Sequence, residues 1–337
     1  MTIHIIGAGL AGCEAAWQLT RRGIPVILHE MRPGKSDPAH HTALFSELVC
    51  SNSLRANNIE NAVGLLKEEM RRLDSLILAA ADAHQVPAGG ALAVDREGFA
   101  QAVTAAIREN SLVTLVEEEV TDYSRFAPED YVITASGPLT SGALSEAIQQ
   151  LVKKDYFHFF DAAAPIVTVD SLDQEKVYKA SRYDKGEAAY YNCPFTKEEY
   201  IRFWQELCRA ETAPMKDFEH NVFEACMPIE EMASGRGHHA LRPPETGGAA
   251  GSRTGEDLMR WSSCARTTGR GPVQHCGLPD PSEMAGTETG VPDDPGLENA
   301  EFVRYGVMHK NSYLNSPLLL NPDYSLRERP HFYFAGR

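Results

Sequence analysis

Three glycines, set between a short apolar strand and a helix-compatible run, constrain this chain more than any other feature. Ile3-His4-Ile5-Ile6 runs straight into Gly7-Ala8-Gly9-Leu10-Ala11-Gly12. Helix-compatible residues follow from Leu10 to Arg22, and Gly23 suits a C-cap. A second apolar strand, Pro25 to His29, ends on Glu30. This order is the βαβ dinucleotide fingerprint in its required context. Gly7 allows the tight turn, Gly9 lets the backbone approach a pyrophosphate at the helix N-terminus, and Gly12 lets helix and strand pack closely. Glu30 stands roughly 20 residues on, where a carboxylate accepts a ribose hydroxyl. The expected ligand is FAD or NAD, since a glycine turn without a ligand leaves Glu30 unexplained.

With 337 residues the chain has room for two domains. The first strand begins at residue 3, and no stretch is apolar enough to span a bilayer, so neither a signal peptide nor a membrane partner is expected. Seven cysteines (Cys13, Cys50, Cys193, Cys208, Cys226, Cys264 and Cys276) include no CxxC pair. They read as reduced thiols of a cytoplasmic protein, without a metal site. The net charge of -15 argues against a broad basic surface, and DNA is not an expected partner. A local basic patch remains compatible with it.

Further along, Ala62 to Ala83 carries apolar residues at helical spacing and predicts one long helix, broken by Pro87-Ala88-Gly89-Gly90. Asp95 to Arg108 predicts another helix, Leu112 to Val120 a strand, and Tyr131 to Thr134 a strand that ends in Ala135-Ser136-Gly137-Pro138. FAD proteins with two dinucleotide domains set such a small-residue turn against the cofactor. The fold class read from this order is α/β, a Rossmann-like FAD-binding domain over residues 1–150 with a second, inserted α+β domain over 151–233. Tyr178, Tyr191, Phe195, Phe203, Trp204 and other aromatics crowd that insert; core packing is the main expectation, a base-stacking surface the alternative. Residues 234–295 contain no Ile, Phe, Tyr, Lys or Asn and lose apolar periodicity, which reads as disordered or anomalous sequence. Residues 296–337 resume globular sequence and return toward the first domain.

Two cysteines lie where chemistry is conceivable. Cys50 sits in Val49-Cys50-Ser51-Asn52-Ser53-Leu54-Arg55, where Arg55 could stabilise a thiolate. Cys226 sits in Phe223-Glu224-Ala225-Cys226-Met227-Pro228, near the end of an element. Both could equally be small buried hydrophobes.

These two segments, the Gly7 to Ala16 stretch and Arg304-Tyr305-Gly306-Val307-Met308-His309 together closely resemble the bacterial TrmFO family, the folate- and FAD-dependent tRNA (uracil-5-)-methyltransferases, over residues 1–233 and 295–336. The resemblance implies that one carbon passes from 5,10-methylenetetrahydrofolate through reduced FAD to C5 of a T-loop uridine, giving 5-methyluridine. NADPH or NADH would restore the reduced flavin. It places the nucleophile at Cys226 and its thiol partner at Cys50, and the flavin contacts at Gly7, Gly9, Gly12, Glu30 and Gly336. Ala8, Leu10, Ala11, Arg32 and Gly137 complete the candidate cofactor-binding set. tRNA and folate are the implied partners.

The chain departs from the family in two places. At 234–295 the family carries a segment rich in Arg, Phe, Gly, Pro, Lys and Val. Suitable codons for Gly237 to Ala249, read one base on, spell Asp-Thr-Met-Arg-Phe-Gly-Pro-Leu-Lys-Pro-Val-Gly-Leu, which implies a frameshift. The chain also stops at Gly336-Arg337, where the family pattern continues into a helix facing the flavin, which implies truncation. Alternatives are a wobble-uridine tRNA modification protein that also uses FAD and folate, a generic FAD oxidoreductase, and an inactive remnant. The first would not be expected to carry the Cys226 segment, and the second would not need both cysteines.

Overall fold

The computed structural model describes residues 1–37, 40–49, 51–152, 157–163, 166–180, 190–209, 259–266, 273–276, 296–304 and 307–336. In chain order the first part runs β1 (Ile3–Ile6), α1 (Leu10–Thr20), β2 (Val26–His29), β3 (Ser53–Ala56), α2 (Ala62–Arg72), α3 (Leu76–Ala83), β4 (Gln85–Val86), β5 (Ala91–Val94), α4 (Arg96–Arg108), β6 (Val113–Val116), β7 (Tyr131–Thr134) and α5 (Gly142–Val152). The second part runs β8 (Phe157–Ala163), β9 (Ile166–Val167), β10 (Tyr178–Ala180), β11 (Tyr190–Phe195), α6 (Lys197–Arg209), β12 (Met259–Arg266), β13 (Val273–Cys276), β14 (Phe302–Arg304), β15 (Val307–Tyr313), α7 (Ser316–Leu319), β16 (Ser325–Leu326) and β17 (Arg329–Phe334).

The first sheet has the order β16-β17-β7-β1-β2-β6. All neighbours pair in parallel except the β16–β17 edge, with His4 opposite Ile27, Ile3 opposite Tyr131, and Phe332 opposite Val132. Successive strand residues point to opposite faces, so each face has its own core. Ile5, Val26 and Leu28 pack with α1, α3 and α4 residues such as Cys13, Ile77, Phe99 and Val103. Ile6, Val132 and Phe332 pack on the other side with Leu144, Ile148 and Val152 of α5. A parallel sheet covered on both faces is doubly wound, in keeping with the Rossmann-like α/β domain read from the sequence.

The expected single helix over Ala62–Ala83 is two helices. Asp74 takes φ +56°, and Ser75 caps α3 by accepting from the Leu78 amide at 3.2 Å. Tertiary contacts hold the break. The Trp17 indole donates to the Asp74 carbonyl at 3.0 Å, and Ser75 Oγ donates to Glu14 at 2.8 Å. The strand expected from Leu112 to Val120 is limited to Val113–Val116, because β2, its pairing partner, spans four residues. Asp95 caps α4, accepting from the Glu97 amide.

A second sheet is antiparallel throughout, with the order β10-β11-β12-β13-β9-β14. Strands β12 and β13 come from the compositionally anomalous segment, and they pair into this sheet. β14 also belongs to it, and β16 and β17 carry the chain back to the first sheet. Tyr191, Phe195 and Phe203 are buried, with the two phenylalanine rings 5.3 Å apart, so these aromatics are core. Among the described residues no helix is long and apolar enough to cross a membrane.

Candidate functional site

Three strands of the first sheet end in small-residue turns on the same side. β1 runs into Gly7, β7 into Ser136-Gly137, and β17 into Ala335-Gly336. The crevice beyond the carboxyl ends of such strands is where an open α/β sheet takes its ligand. The glycine loop is packed too closely for side chains. A Cβ on Gly12 would lie 1.8 Å from the Gly7 carbonyl oxygen. Gly7 itself takes φ +101°, and a Cβ there would meet the Ala135 oxygen at 2.7 Å. At Gly9 no protein atom of the described residues lies within 4 Å of that position, so this face of the helix start is open to a ligand. α1 begins at once after it, with no side-chain cap among the described residues on the amides of its positive end.

Glu30 closes the far side of the loop. Its Oε2 accepts from the Ala8 amide at 2.8 Å, and its Oε1 accepts from Arg32 Nε at 2.9 Å and from the Arg32 amide at 3.1 Å. Both side chains are nearly inaccessible, at 6% for Glu30 and 3% for Arg32. Burial pushes the Glu30 carboxyl up, but the hydrogen bonds and charge of Arg32, with the two amides, outweigh it and hold it below its ordinary value. Arg32 also reaches Glu47 at 3.4 Å, and Glu47 accepts from the amides of His41 and Thr42. The 40–49 loop is thereby tied to the site. It is pinned from below by fully buried Phe45 and by the Ser46 amide, which donates to the Ala8 carbonyl at 2.9 Å.

These elements enclose a cavity of about 560 Å³. Gly7, Gly9, Leu10, Ala11, Glu30, Arg32, Gly137 and Gly336 line it, alongside Ser51, Ser53, Leu54, Arg55, His29, Glu118 and Glu119. His29 Nε2 and His4 Nδ1 are 3.0 Å apart, and His29 Nδ1 stands 3.7 Å from Glu118 with no hydrogen-bond partner among the described residues. Burial first, then the charges of His4 and Arg125, push His29 down to about 4, so it is neutral near pH 7. A cavity with an open helix start, a buried carboxylate beside it and an unsatisfied ring nitrogen in its wall fits a dinucleotide such as FAD.

Eight of the ten candidate cofactor residues line this cavity. Ala8 touches Glu30 through its amide, and Gly12 packs beneath the turn, so both act as supports. Cys50 and Cys226 lie outside the described residues. Cys13 is buried, its thiol donates to the Ala8 carbonyl, and burial pushes it up to about 12, which makes it inert packing. Sequence reasoning did not find Glu47, His29 or Glu118. Their roles depend on partners 15 to 89 positions away in the chain, and no spacing rule marks them.

Comparison with known proteins bears on all of this. The sequence model of the family described as glucose inhibited division protein A matches residues 2–242 and 291–337. A methylenetetrahydrofolate–tRNA-(uracil-5-)-methyltransferase TrmFO from Desulforamulus reducens is 53% identical over 344 residues, covering 100% of this chain and 77% of that protein. The protein of the same name from Bacillus subtilis is 52% identical over 339 residues, again covering 100% and 77%. Among solved structures, Aquifex aeolicus GidA superimposes with a TM-score of 0.72 at 13% identity, covering 99% of this chain and 59% of that one. That likeness concerns the fold. The chain spans about three fifths of that structure's length.

Proposed function

The chain belongs to the glucose inhibited division protein A family and, within it, to the TrmFO group, and from that premise we propose that it is a folate- and FAD-dependent tRNA (uracil-5-)-methyltransferase. The observation that carries this reading is identity of 50–53% along essentially the whole chain to curated relatives bearing that name. The cavity at the strand ends supports it, because its donors and its carboxylate suit a dinucleotide.

In this reading the α1 amides meet the pyrophosphate, and Glu30, held ionised and fixed in place by Arg32, accepts a ribose hydroxyl. When bound and reduced by NADPH or NADH, the flavin would supply the two electrons that turn a methylene unit from methylenetetrahydrofolate into a methyl group. Cys226 adds to C6 of the uracil and makes C5 nucleophilic toward the one-carbon unit; Cys50 is the second thiol that handles the C5 proton, and loss of that proton expels the Cys226 thiolate from C6. NADPH or NADH serves as reductant, and the reaction takes place in the cytoplasm. The inserted part, residues 151–233, forms the tRNA- and folate-facing domain.

The test is product formation. The purified chain, FAD, methylenetetrahydrofolate, reduced nicotinamide and an unmodified tRNA transcript should yield 5-methyluridine. A transcript containing 5-fluorouracil should trap a covalent complex that Cys226→Ala cannot form. Stoichiometric flavin with neither product nor trapped complex would sink the methyltransferase reading and leave a flavin-binding protein.

A further inference from the structure

The ionisable groups around the cavity pair off, with one exception among the described residues. Arg32 is held by Glu30 and Glu47, His40 lies 2.6 Å from Asp37, and His29 faces Glu118 at 3.7 Å. Arg55 lines the same cavity, is exposed, and has no carboxylate within ion-pairing distance among the described residues.

Its backbone is as unusual as its charge. Arg55 takes φ +68°, a left-handed conformation that favours glycine. The β3–β5 ladder slips register between Ser53 and Ala56, so the chain bulges at Leu54-Arg55. Bulges re-aim side chains beside functional sites, and strain of this kind persists where the surroundings over-determine it. Here they do. Asn52 Nδ2 donates to the Val94 carbonyl at 3.0 Å on one side, and Lys67 Nζ donates to the Ala56 carbonyl at 2.9 Å on the other. Between them the Arg55 amide donates to Ser53 Oγ at 3.1 Å. Lys67 lies within electrostatic reach of Arg55, while the neighbouring Arg71 is paired with Asp82 and Glu68.

We propose that Arg55 anchors a backbone phosphate of the RNA whose uridine enters this cavity; the inference rests on the tRNA reading above. A dinucleotide pyrophosphate already has the helix start at Gly9. A base that reacts inside a pocket must leave its stack, while its phosphates stay outside, and phosphate contacts are what position the strand. An exposed guanidinium at the rim, with no carboxylate partner among the described residues and forked for phosphate oxygens, meets that geometry. Arg55 is thus a positioning residue for the RNA.

The experiment compares the parent chain with Arg55→Gly and Arg55→Lys for binding an unmodified tRNA transcript between 50 and 200 mM salt, alongside flavin content and melting temperature. Arg55→Gly should bind roughly ten-fold more weakly, with a log-log salt slope shallower by about 0.7–0.9. Its flavin content should stay unchanged, and its melting temperature should be equal or higher because glycine relieves the backbone. Arg55→Lys should keep the salt slope at intermediate affinity. Unchanged affinity and slope in Arg55→Gly would overturn the inference. So would flavin loss in step with RNA loss, which would assign the side chain to the pyrophosphate. Intact RNA binding with a shifted pH profile of kcat would overturn it in favour of thiolate stabilisation. A flavin-loaded parent chain that binds tRNA no better than an unrelated polyanion would instead remove the functional reading, and the inference with it.

Discussion

Arg32 Nε lies 2.9 Å from Glu30 Oε1, two residues apart in the chain, with both side chains shut off from solvent. The pair carries a cavity-lining carboxylate through an otherwise unfavourable environment. Burial alone would push the Glu30 carboxyl up, and a protonated acid would accept more weakly from the Ala8 amide.

Breaking this pair should be costly in an asymmetric way. Arg32→Ala strands a buried charge and should cost about 3–5 kcal/mol in denaturant unfolding, with Glu30→Gln losing less. The sign of the pH effect follows from Glu30 lying below its ordinary value of 4.5. Its contribution is complete above 4.5 and is lost as pH falls through the folded value. Parent and Glu30→Gln stabilities should therefore converge as the solution is acidified below 4.5. Parallel curves would show that the pair does not titrate as described.

The glycine loop separates packing from ligand approach. Gly12→Ala places a carbon 1.8 Å from a carbonyl oxygen and should abolish cooperative folding of the first domain. Gly9→Ala meets nothing and should melt like the parent when free of flavin, yet lose flavin absorbance on purification. A Gly9→Ala protein that keeps full flavin would show that the ligand does not approach there.

His29 predicts a second pH effect. It titrates near 4 when folded against 6.5 ordinarily, because burial, His4 and Arg125 disfavour the cation. Between those values the unfolded chain holds a proton that the folded chain refuses. Stability should thus fall as pH drops from 6.5 to 4, by up to about 3 kcal/mol. His29→Phe, which keeps an aromatic ring beside Phe126, should flatten this limb in urea melts at pH 7 and pH 5. An unaltered slope would place the titration elsewhere.

The anomalous segment predicts a nucleotide-level result. The family match breaks after residue 242 and resumes at 291, inside the span whose composition departs from its surroundings. Sequencing the gene should reveal, one base on from the codons of residues 237–249, the string Asp-Thr-Met-Arg-Phe-Gly-Pro-Leu-Lys-Pro-Val-Gly-Leu. A clean reading frame without it ends the frameshift proposal.

Much of the first domain was legible because its signals are local. The glycine spacing, the apolar run Ile3–Ile6 and the helical spacing after Asp95 each act within a few residues, and β1, the glycine turn and α4 appear where expected. The Ala62–Ala83 helix shows the limit. Its periodicity is continuous, and the break at Asp74 comes from Trp17 and Glu14, some 57 and 61 positions away.

By itself, then, the sequence determined the βαβ unit and the family, since backbone sterics and apolar periodicity are properties of neighbouring residues. The tertiary structure alone decided how Glu30 is held below its ordinary value, which histidine nitrogen has no hydrogen-bond partner among the described residues, and that Arg55 sits in a bulge at the cavity rim with no carboxylate among the described residues to pair with. Burial and charge pairing are set by groups far apart in the chain, and only the closed sheet brings them within reach.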